Sequence, residues 1–363
     1  MEKENRYYYP SFYELQEVLS EIIQGEDLKE FAQSKGIFMI STPQSELAKE
    51  MAYFYYEHEE LEYLRDKAYT SNSTHAMSGF LVESNNSEFN LVEVYEKIID
   101  QANFKPGICL DSLYEESYDN NVKFKGRLEY TKRRAGRIQF LQDEVNSFDF
   151  YFIPLENGLW QVEIDSSKST DTKELTEILN KGLIKDSDEI IILDQDKMSS
   201  ADSILFFDRL SSEGFPKEWI AKDIKQITIR KSKGEIDDSV DDDQIVTEEH
   251  LSGIKQAILE GKNLRNNKFV QESEKNGYRF TSMIYEFHSK KGLVLTVRTE
   301  FKSRPKVFEV TILNVESFFG SSVNSLKRVQ YNLSKDQNYK YRSLFWNNAK
   351  KIYSEITGQN ELL

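Results

Sequence analysis

Two carboxylates and an amine stand close together in Glu163-Ile-Asp165-Ser-Ser-Lys168, where they could do chemistry. The residues around them alternate in the manner of a β-strand, so Glu163 and Asp165 project from one face, roughly 7 Å apart. That spacing suits a shared hard cation such as Mg²⁺; it equally suits an ordinary solvated strand face. Other reactive residue types are sparse. His58, His75, His250 and His288 are scattered, and His58-Glu-Glu-Leu lacks the second histidine of a zinc-binding helix. Cys109 is the sole cysteine, which excludes a disulfide framework and a cysteine-based metal site. Within Pro106-Gly-Ile-Cys-Leu it reads as a small buried hydrophobe. There is no Gly-rich phosphate loop, nucleophile elbow or dinucleotide fingerprint.

A second kind of chemistry is available to the cations. Residues 123–137 hold seven bases, Lys123, Lys125, Arg127, Lys132, Arg133, Arg134 and Arg137, against one acid, Glu129. Alternation gathers Lys123, Lys125 and Arg127 on one strand face, and the turn at Lys132-Arg-Arg-Ala-Gly136 adds three more at the tip. A cationic two-stranded ribbon of this kind can enter a groove or track phosphates; a solvated face that offsets acids elsewhere is the alternative. Lys302, Arg304, Lys306, Lys327, Arg328, Lys340, Arg342, Lys350 and Lys351 form a further candidate, interleaved with Tyr339, Tyr341 and Trp346, which could stack on bases or belong to the core.

Charge is unevenly divided between the two ends. From Lys262 onward there are 18 Lys+Arg against 9 Asp+Glu, a net +9; since the whole chain is −15, the first 261 residues carry −24. Glu235 to Glu249 holds eight acids and no base and reads as a flexible linker, or as a nucleic-acid mimic covering a basic site. Such asymmetry suggests a polyanion-facing module joined to something else.

The elements that must position these residues can be read from periodicity and caps. Ser11 and Glu14 form a capping box ahead of Phe12, Leu15, Leu19 and Ile22. Further helices are predicted from about Asp27, from Thr42-Pro43, over Leu61–Ala68 and over Leu91–Ala102. From Asn121 the period changes to two: strands are predicted over 123–131, 137–142, 148–153 and 159–165, with Asn157-Gly158 as a hairpin turn. A helix capped by Asp171, a strand at Glu189–Asp194, a helix at Ala201–Leu210 and a strand at Ile224–Arg230 follow. Beyond the acidic run come a helix from Thr247 to about Gly261, strands at Tyr278–His288, Leu293–Lys302 and Val307–Val315, and a terminal helix from the Ser334/Gln337 capping box to Gly358.

Two resemblances rest on these segments. A hairpin, a strand carrying Glu163, a helix and a further strand resemble the core of PD-(D/E)xK nucleases. The likeness implies that Glu163 and a carboxylate from the preceding strand, here Asp149, hold a divalent metal while a lysine two positions after the glutamate assists the attacking water. That position is Asp165 in this chain, so Lys168 would have to take the role. Asp27 to Tyr56 resembles the SAP-type helix–extension–helix in Leu28, Phe31, Gly36, Ile37, Leu47 and Met51. Such modules bind DNA, yet residues 27–69 hold nine acids and five bases, a surface that phosphates repel and that suits a protein partner.

The expectation is an α+β protein: a helical module over 1–70, a mixed α/β central domain over 79–232, an acidic linker over 233–247, and a basic domain over 248–363 made of a small antiparallel sheet and a terminal helix. With no apolar signal core and no membrane-length apolar run, it is expected to be cytoplasmic. Abundant Lys, Asn, Ile, Tyr and Phe resemble the usage of a low-GC bacterial or phage-related gene. The expected function is a non-catalytic nucleic-acid-binding component, of DNA before RNA, in an assembly such as a defence or mobile-element system, with the N-terminal helices holding a protein partner. No cofactor is expected for it. A Mg²⁺-dependent nuclease centred on Glu163, Asp165 and Lys168 and a protein-only scaffold are the alternatives.

Overall fold

Ser11 opens the first helix through the reciprocal bonds its sequence anticipates: its hydroxyl accepts from the Glu14 N–H, and the Glu14 side chain accepts from the Ser11 N–H at 2.9 Å. The computed structural model describes residues 8–23, 25–38, 42–70, 74–83, 108–118, 121–133, 138–155, 159–182, 189–231, 256–261, 264–319 and 327–359. These fall into two units, one comprising Met1–Ser73, Lys105–Cys109 and Leu128–Ser147, the other Thr74–Phe104, Leu110–Arg127 and Phe148–Leu363.

The first unit contains α1 (Phe12–Glu17), which continues as a π-helical turn over Val18–Ile22, then α2 (Gly25–Ser34), α3 (Gln44–Met51) and α4 (His58–Thr70). Their apolar faces meet in a core of Leu15, Leu19, Leu28, Phe31, Leu47, Met51 and Leu64. The Gln44 amide satisfies carbonyls that the end of the first helix leaves open, donating to Ser20 O at 3.1 Å and Ile23 O at 2.8 Å. Pro43 itself occupies the cap position of α3, one residue later than Thr42, the expected cap. Phe140 and Leu141 complete this core from a single 3₁₀ turn, Gln139–Leu141, where a strand over 137–142 is expected. Two adjacent apolar side chains both turned inward cannot be met by a strand, whose successive residues face opposite ways.

The second unit is built on an antiparallel sheet of β1 (Ala76–Glu83), β2 (Ile108–Tyr118), β3 (Asn121–Arg133), β4 (Asp143–Pro154), β5 (Leu159–Ser166), β6 (Glu189–Ile191), β7 (Trp219–Lys231), β8 (Gln256–Glu260), β9 (Tyr278–Ser289), β10 (Leu293–Ser303), β11 (Lys306–Phe319) and β12 (Lys327–Gln330). Strand order is β2-β3-β4-β5-β1-β11-β10-β9-β7-β8, with β6 on β1 and β12 on β11; residues 128–147 of β3 and β4 group with the first unit. The helices are α5 (Ser169–Gly182), α6 (Ser200–Glu213), α7 (Lys268–Lys275) and the terminal helix α8 (Lys335–Thr357), closed by Gly358 at φ 71°.

The chain is α+β, as expected. Its division is not the expected one. β1 and β5 pair through Ala76–Glu83, β1 also pairs with β11 at Met77↔Val310, and β7 pairs with β9 from Trp219 to Lys231. Residues 79–232 and 248–363 therefore share one sheet. Of the helix predicted from Thr247 to about Gly261, residues 247–255 lie outside the described residues, and Gln256–Glu260 is instead the edge strand β8, whose Ala257 and Leu259 point inward while Gln256, Ile258 and Glu260 stay exposed. The acidic run and Leu91–Ala102 lie outside the described residues. Cys109 is exposed, not buried. No helix among the described residues is long and apolar enough to cross a membrane.

The two sheet faces differ. Ser78 meets α5 through a 2.8 Å hydroxyl contact with Thr172, while its neighbour Gly79 faces Trp346 of the terminal helix. That second face carries the aromatic core of Phe206, Phe207, Tyr285, Phe301, Phe345 and Trp346. Gly79 is there because nothing larger fits: a Cβ would lie 2.3 Å from the Val162 carbonyl oxygen and 3.1 Å from the Trp346 ring. Gly79→Ala should lower stability by roughly 3 kcal/mol, the upper end for overpacking, as measured by urea denaturation. An unchanged midpoint would contradict this packing.

Candidate functional site

Glu163 leaves β5 opposite Gly79 and Tyr151, on the face that the terminal helix covers, and is fully buried. A buried carboxyl group is tolerated where donors satisfy its oxygens. Four do so: the Tyr339 hydroxyl at 2.7 Å, the Ser343 hydroxyl at 2.8 Å, Asn347 Nδ2 at 3.1 Å and Gln161 Nε2 at 2.7 Å. Residues 339, 343 and 347 recur every fourth position and so share one helix face. Burial, together with the adjacent Glu163, pushes the Tyr339 phenol far above the usual tyrosine range.

Asp165 shares the face of Glu163, as alternation requires. It accepts from Arg342 Nη2 at 2.9 Å and lies 3.3 Å from His75 Nδ1. Burial draws the Arg342 guanidinium below its ordinary value against the opposing pull of Asp165. Asp149 stands opposite Asp165 in register and pairs with Lys125 at 3.3 Å. Lys168 lies beyond the end of β5, in a turn where its N–H donates to Ser166 Oγ at 3.1 Å. The three carboxylates are brought to one face, and each is engaged by donors or cations of the fold. Among the described residues no group of three or more His, Cys, Asp or Glu is placed to hold a metal ion.

The cations of the hairpin divide. Lys123 is 6% exposed, its ammonium 4.5 Å from the Tyr339 ring centroid and 4.6 Å from that of Tyr151. Arg127, Lys132 and Arg133 are exposed, with Arg133 donating to Gln142 at 3.3 Å; Arg134 and Arg137 lie outside the described residues. Of the nine C-terminal cations, at least five are taken up by the fold. Lys302 pairs with Glu309 at 3.4 Å, Lys306 with Asp194 at 2.9 Å and Asp196 at 2.8 Å, and Arg328 with Glu286 at 3.0 Å, while Arg342 and Lys350 point at β5. Tyr339 and Trp346 are buried, so they are core and not stacking platforms; Tyr341 packs on Trp219. The expectation of one continuous basic surface does not hold for these residues.

What sequence reasoning missed is a cleft of about 260 Å³ at one end of the sheet. β10 is registered with β9 from Val294 to Glu300 and then continues to Ser303 beyond that pairing. Five cations line the gap, Arg230, Arg279, Lys302, Arg304 and Lys306, against three acids, Asp194, Asp196 and Glu300. Arg230 and Arg279 are directly opposite on β7 and β9, and like charges so placed repel. Arg279 relieves part of this by pairing with Asp196 at 3.1 Å, while its buried Nε has no partner among the described residues. Arg230 and Arg304 make no ion pair among the described residues. The hydrogen bond from Lys306, more than the burial that opposes it, holds the Asp196 carboxyl below its usual range, with Arg279 assisting. The cleft is closed by the contact of Lys306 with Asp194, 112 positions apart, which no local pattern signals.

A separate surface belongs to the first unit. Tyr9 stacks on Tyr55 with centroids 5.4 Å apart, and Phe12 packs on Tyr53 at 4.5 Å and Tyr13 at 5.5 Å. Tyr13, Tyr53 and Tyr55 nonetheless remain 79%, 68% and 77% exposed. The signal was present in Tyr7-Tyr-Tyr9 and Tyr53-Phe-Tyr-Tyr56, whose meaning depends on which rings the core absorbs. Comparison with protein-family models, curated proteins and solved structures finds no match.

The polar face around Glu286 yields a test of these electrostatics. Burial raises the Glu286 carboxyl, but hydrogen bonds from Arg328, His288 and Lys225 outweigh it and hold it at about 2, below the 4.5 of a free glutamate. A depressed folded pKa contributes stability that is complete above about 4.5 and lost as pH falls toward about 2. Glu286→Gln should therefore flatten the acid loss of stability across that window in thermal melts. Parallel melting curves for the variant and the wild type would contradict the assignment.

Proposed function

We propose that the protein is a non-catalytic nucleic-acid-binding component of a larger assembly. The observation that carries this reading is the cleft in which Arg230 and Arg279 oppose each other beside Arg304, with cations outnumbering carboxylates five to three. A phosphate bridging the facing guanidiniums would remove their repulsion and supply acceptors to Arg230 and Arg304, which make no ion pair among the described residues. At about 260 Å³ the cleft suits one backbone phosphate with its sugar, which makes a strand or strand end a better fit than the groove of a duplex. Contacts of this kind position a nucleic acid without reading bases. Exposed Arg127, Lys132 and Arg133 add cations outside the cleft.

The aromatic surface of the first unit is the place we assign to a protein partner. Exposed clusters of tyrosine and phenylalanine mark interaction sites. Exposed Glu17, Glu46, Glu50, Glu57 and Glu59 in the same unit favour a cationic partner segment. The nuclease alternative draws no comparable support, since both oxygens of Glu163 are already engaged by protein donors.

Fluorescence anisotropy with labelled single-stranded DNA, RNA and duplex oligonucleotides tests the reading. The full chain should bind at low salt, with affinity falling steeply as salt rises. Combining Arg230→Ala with Arg304→Ala should reduce the slope of log K against log salt by roughly 0.7, the value for one single-strand phosphate. Absence of salt-sensitive binding to all three, or an unchanged slope in the double variant, would overturn it.

A further inference from the structure

A second cavity, of about 370 Å³, lies between the terminal helix and strands β3 to β5. It is partly open to solvent, and its volume falls within the range of about 300–1,000 Å³ that ligand sites occupy. Ile153, Leu155 and Leu344 form an apolar part of its wall, and Gln161, Glu163 and Lys350 a polar part.

The hydrogen bonds of that polar wall leave one group uncompensated. Glu163 is engaged by Tyr339, Ser343, Asn347 and Gln161. The Gln161 amide gives its Nε2 to Glu163 at 2.7 Å and accepts from Lys350 Nζ at 2.7 Å through Oε1. The contact of Lys350 is thus with a neutral oxygen, and among the described residues no carboxylate lies within ion-pair distance of it. Burial draws its ammonium below the usual lysine value, with Glu163 opposing. An ammonium only partly exposed and without an anion against it carries part of the cost of desolvation, and this one faces a space large enough to admit one.

We propose that the cavity binds a small organic monoanion, its acid group against the Lys350 ammonium and its apolar body against Ile153, Leu155 and Leu344. The site is distinct from the cationic cleft: no residue lines both. Its ligand is a carboxylate or phosphate ester with a hydrocarbon or aromatic body, not a polymer.

Calorimetric titration of the full chain with hexanoate, benzoate and phenyl phosphate, beside neutral hexanamide and benzamide, tests the proposal. At least one anion should bind with 1:1 stoichiometry, and the amides should bind roughly tenfold more weakly or worse, the cost of losing a charge-assisted bond. Lys350→Met should weaken the anion by a similar factor. Leu344→Trp, which fills the cavity from its apolar side and leaves the hydrogen bonds of Glu163 in place, should abolish binding while retaining the wild-type circular dichroism spectrum; it decides the matter should Lys350→Met fail to fold. The Arg230→Ala, Arg304→Ala pair should bind the anion as the wild type does, which separates this site from the cleft. Failure of all three anions to bind, equal binding of the amides, or undiminished binding in Leu344→Trp would overturn the proposal.

Discussion

A glutamate buried in the middle of a sheet must be met by donors, and the terminal helix exists where it does because it supplies them. Three of the four hydrogen bonds to Glu163 come from Tyr339, Ser343 and Asn347 on one face of that helix. Neighbouring contacts follow from the same docking. Arg342 reaches Asp165, Tyr339 lies 4.3 Å from the Tyr151 ring and 4.5 Å from the Lys123 ammonium, and Trp346 fills the space above Gly79. Leaving that carboxyl group without its donors would cost several kcal/mol, of the order of breaking a buried pair at about 3–5 kcal/mol. The terminal helix is in this way tied to strands laid down some 180 residues earlier, and strands on both sides of the acidic run become parts of one core.

The same logic accounts for the division of charge. A −24 portion followed by a +9 portion suggests two modules with different partners, but much of the positive excess meets acids of the earlier portion. Lys306 pairs with Asp194 and Asp196, Arg279 with Asp196, Arg265 with Asp208 and Arg342 with Asp165. Complementarity within the fold comes first. At the strand ends, where Arg304 stands beside the facing Arg230 and Arg279, an external anion has something to gain.

Local signals were legible where local physics decides. The capping boxes at Ser11 and Ser334, the Gly358 stop, the pairing of β4 with β5, and the inward Leu295, Val297 and Phe301 of β10 all follow from short-range rules; Asn157-Gly158 itself lies outside the described residues. Segments that depend on distant partners were not legible. Phe140 and Leu141 become a turn because a helical core needs both, and Gln256–Glu260 becomes a strand because β7 offers it an edge. Glu163 was singled out for its type and spacing, and its shared face with Asp165 was visible. Its donors were not, because Tyr339, Ser343 and Asn347 are recognisable as a polar stripe on a helix with nothing to say which surface the stripe meets. The same limit applied to Lys123 and Lys350, which composition counts as surface charge and the fold places against tyrosine rings and a cavity.

The dependence of the fold on Glu163 is most directly measured by a double-mutant cycle between Glu163→Gln and Tyr339→Phe, followed by equilibrium unfolding in urea. Side chains joined in one buried network should couple, with an interaction energy of about 1–3 kcal/mol. Additivity within roughly 0.5 kcal/mol, the behaviour of independent sites, would contradict the view that this cluster anchors the terminal helix to the sheet.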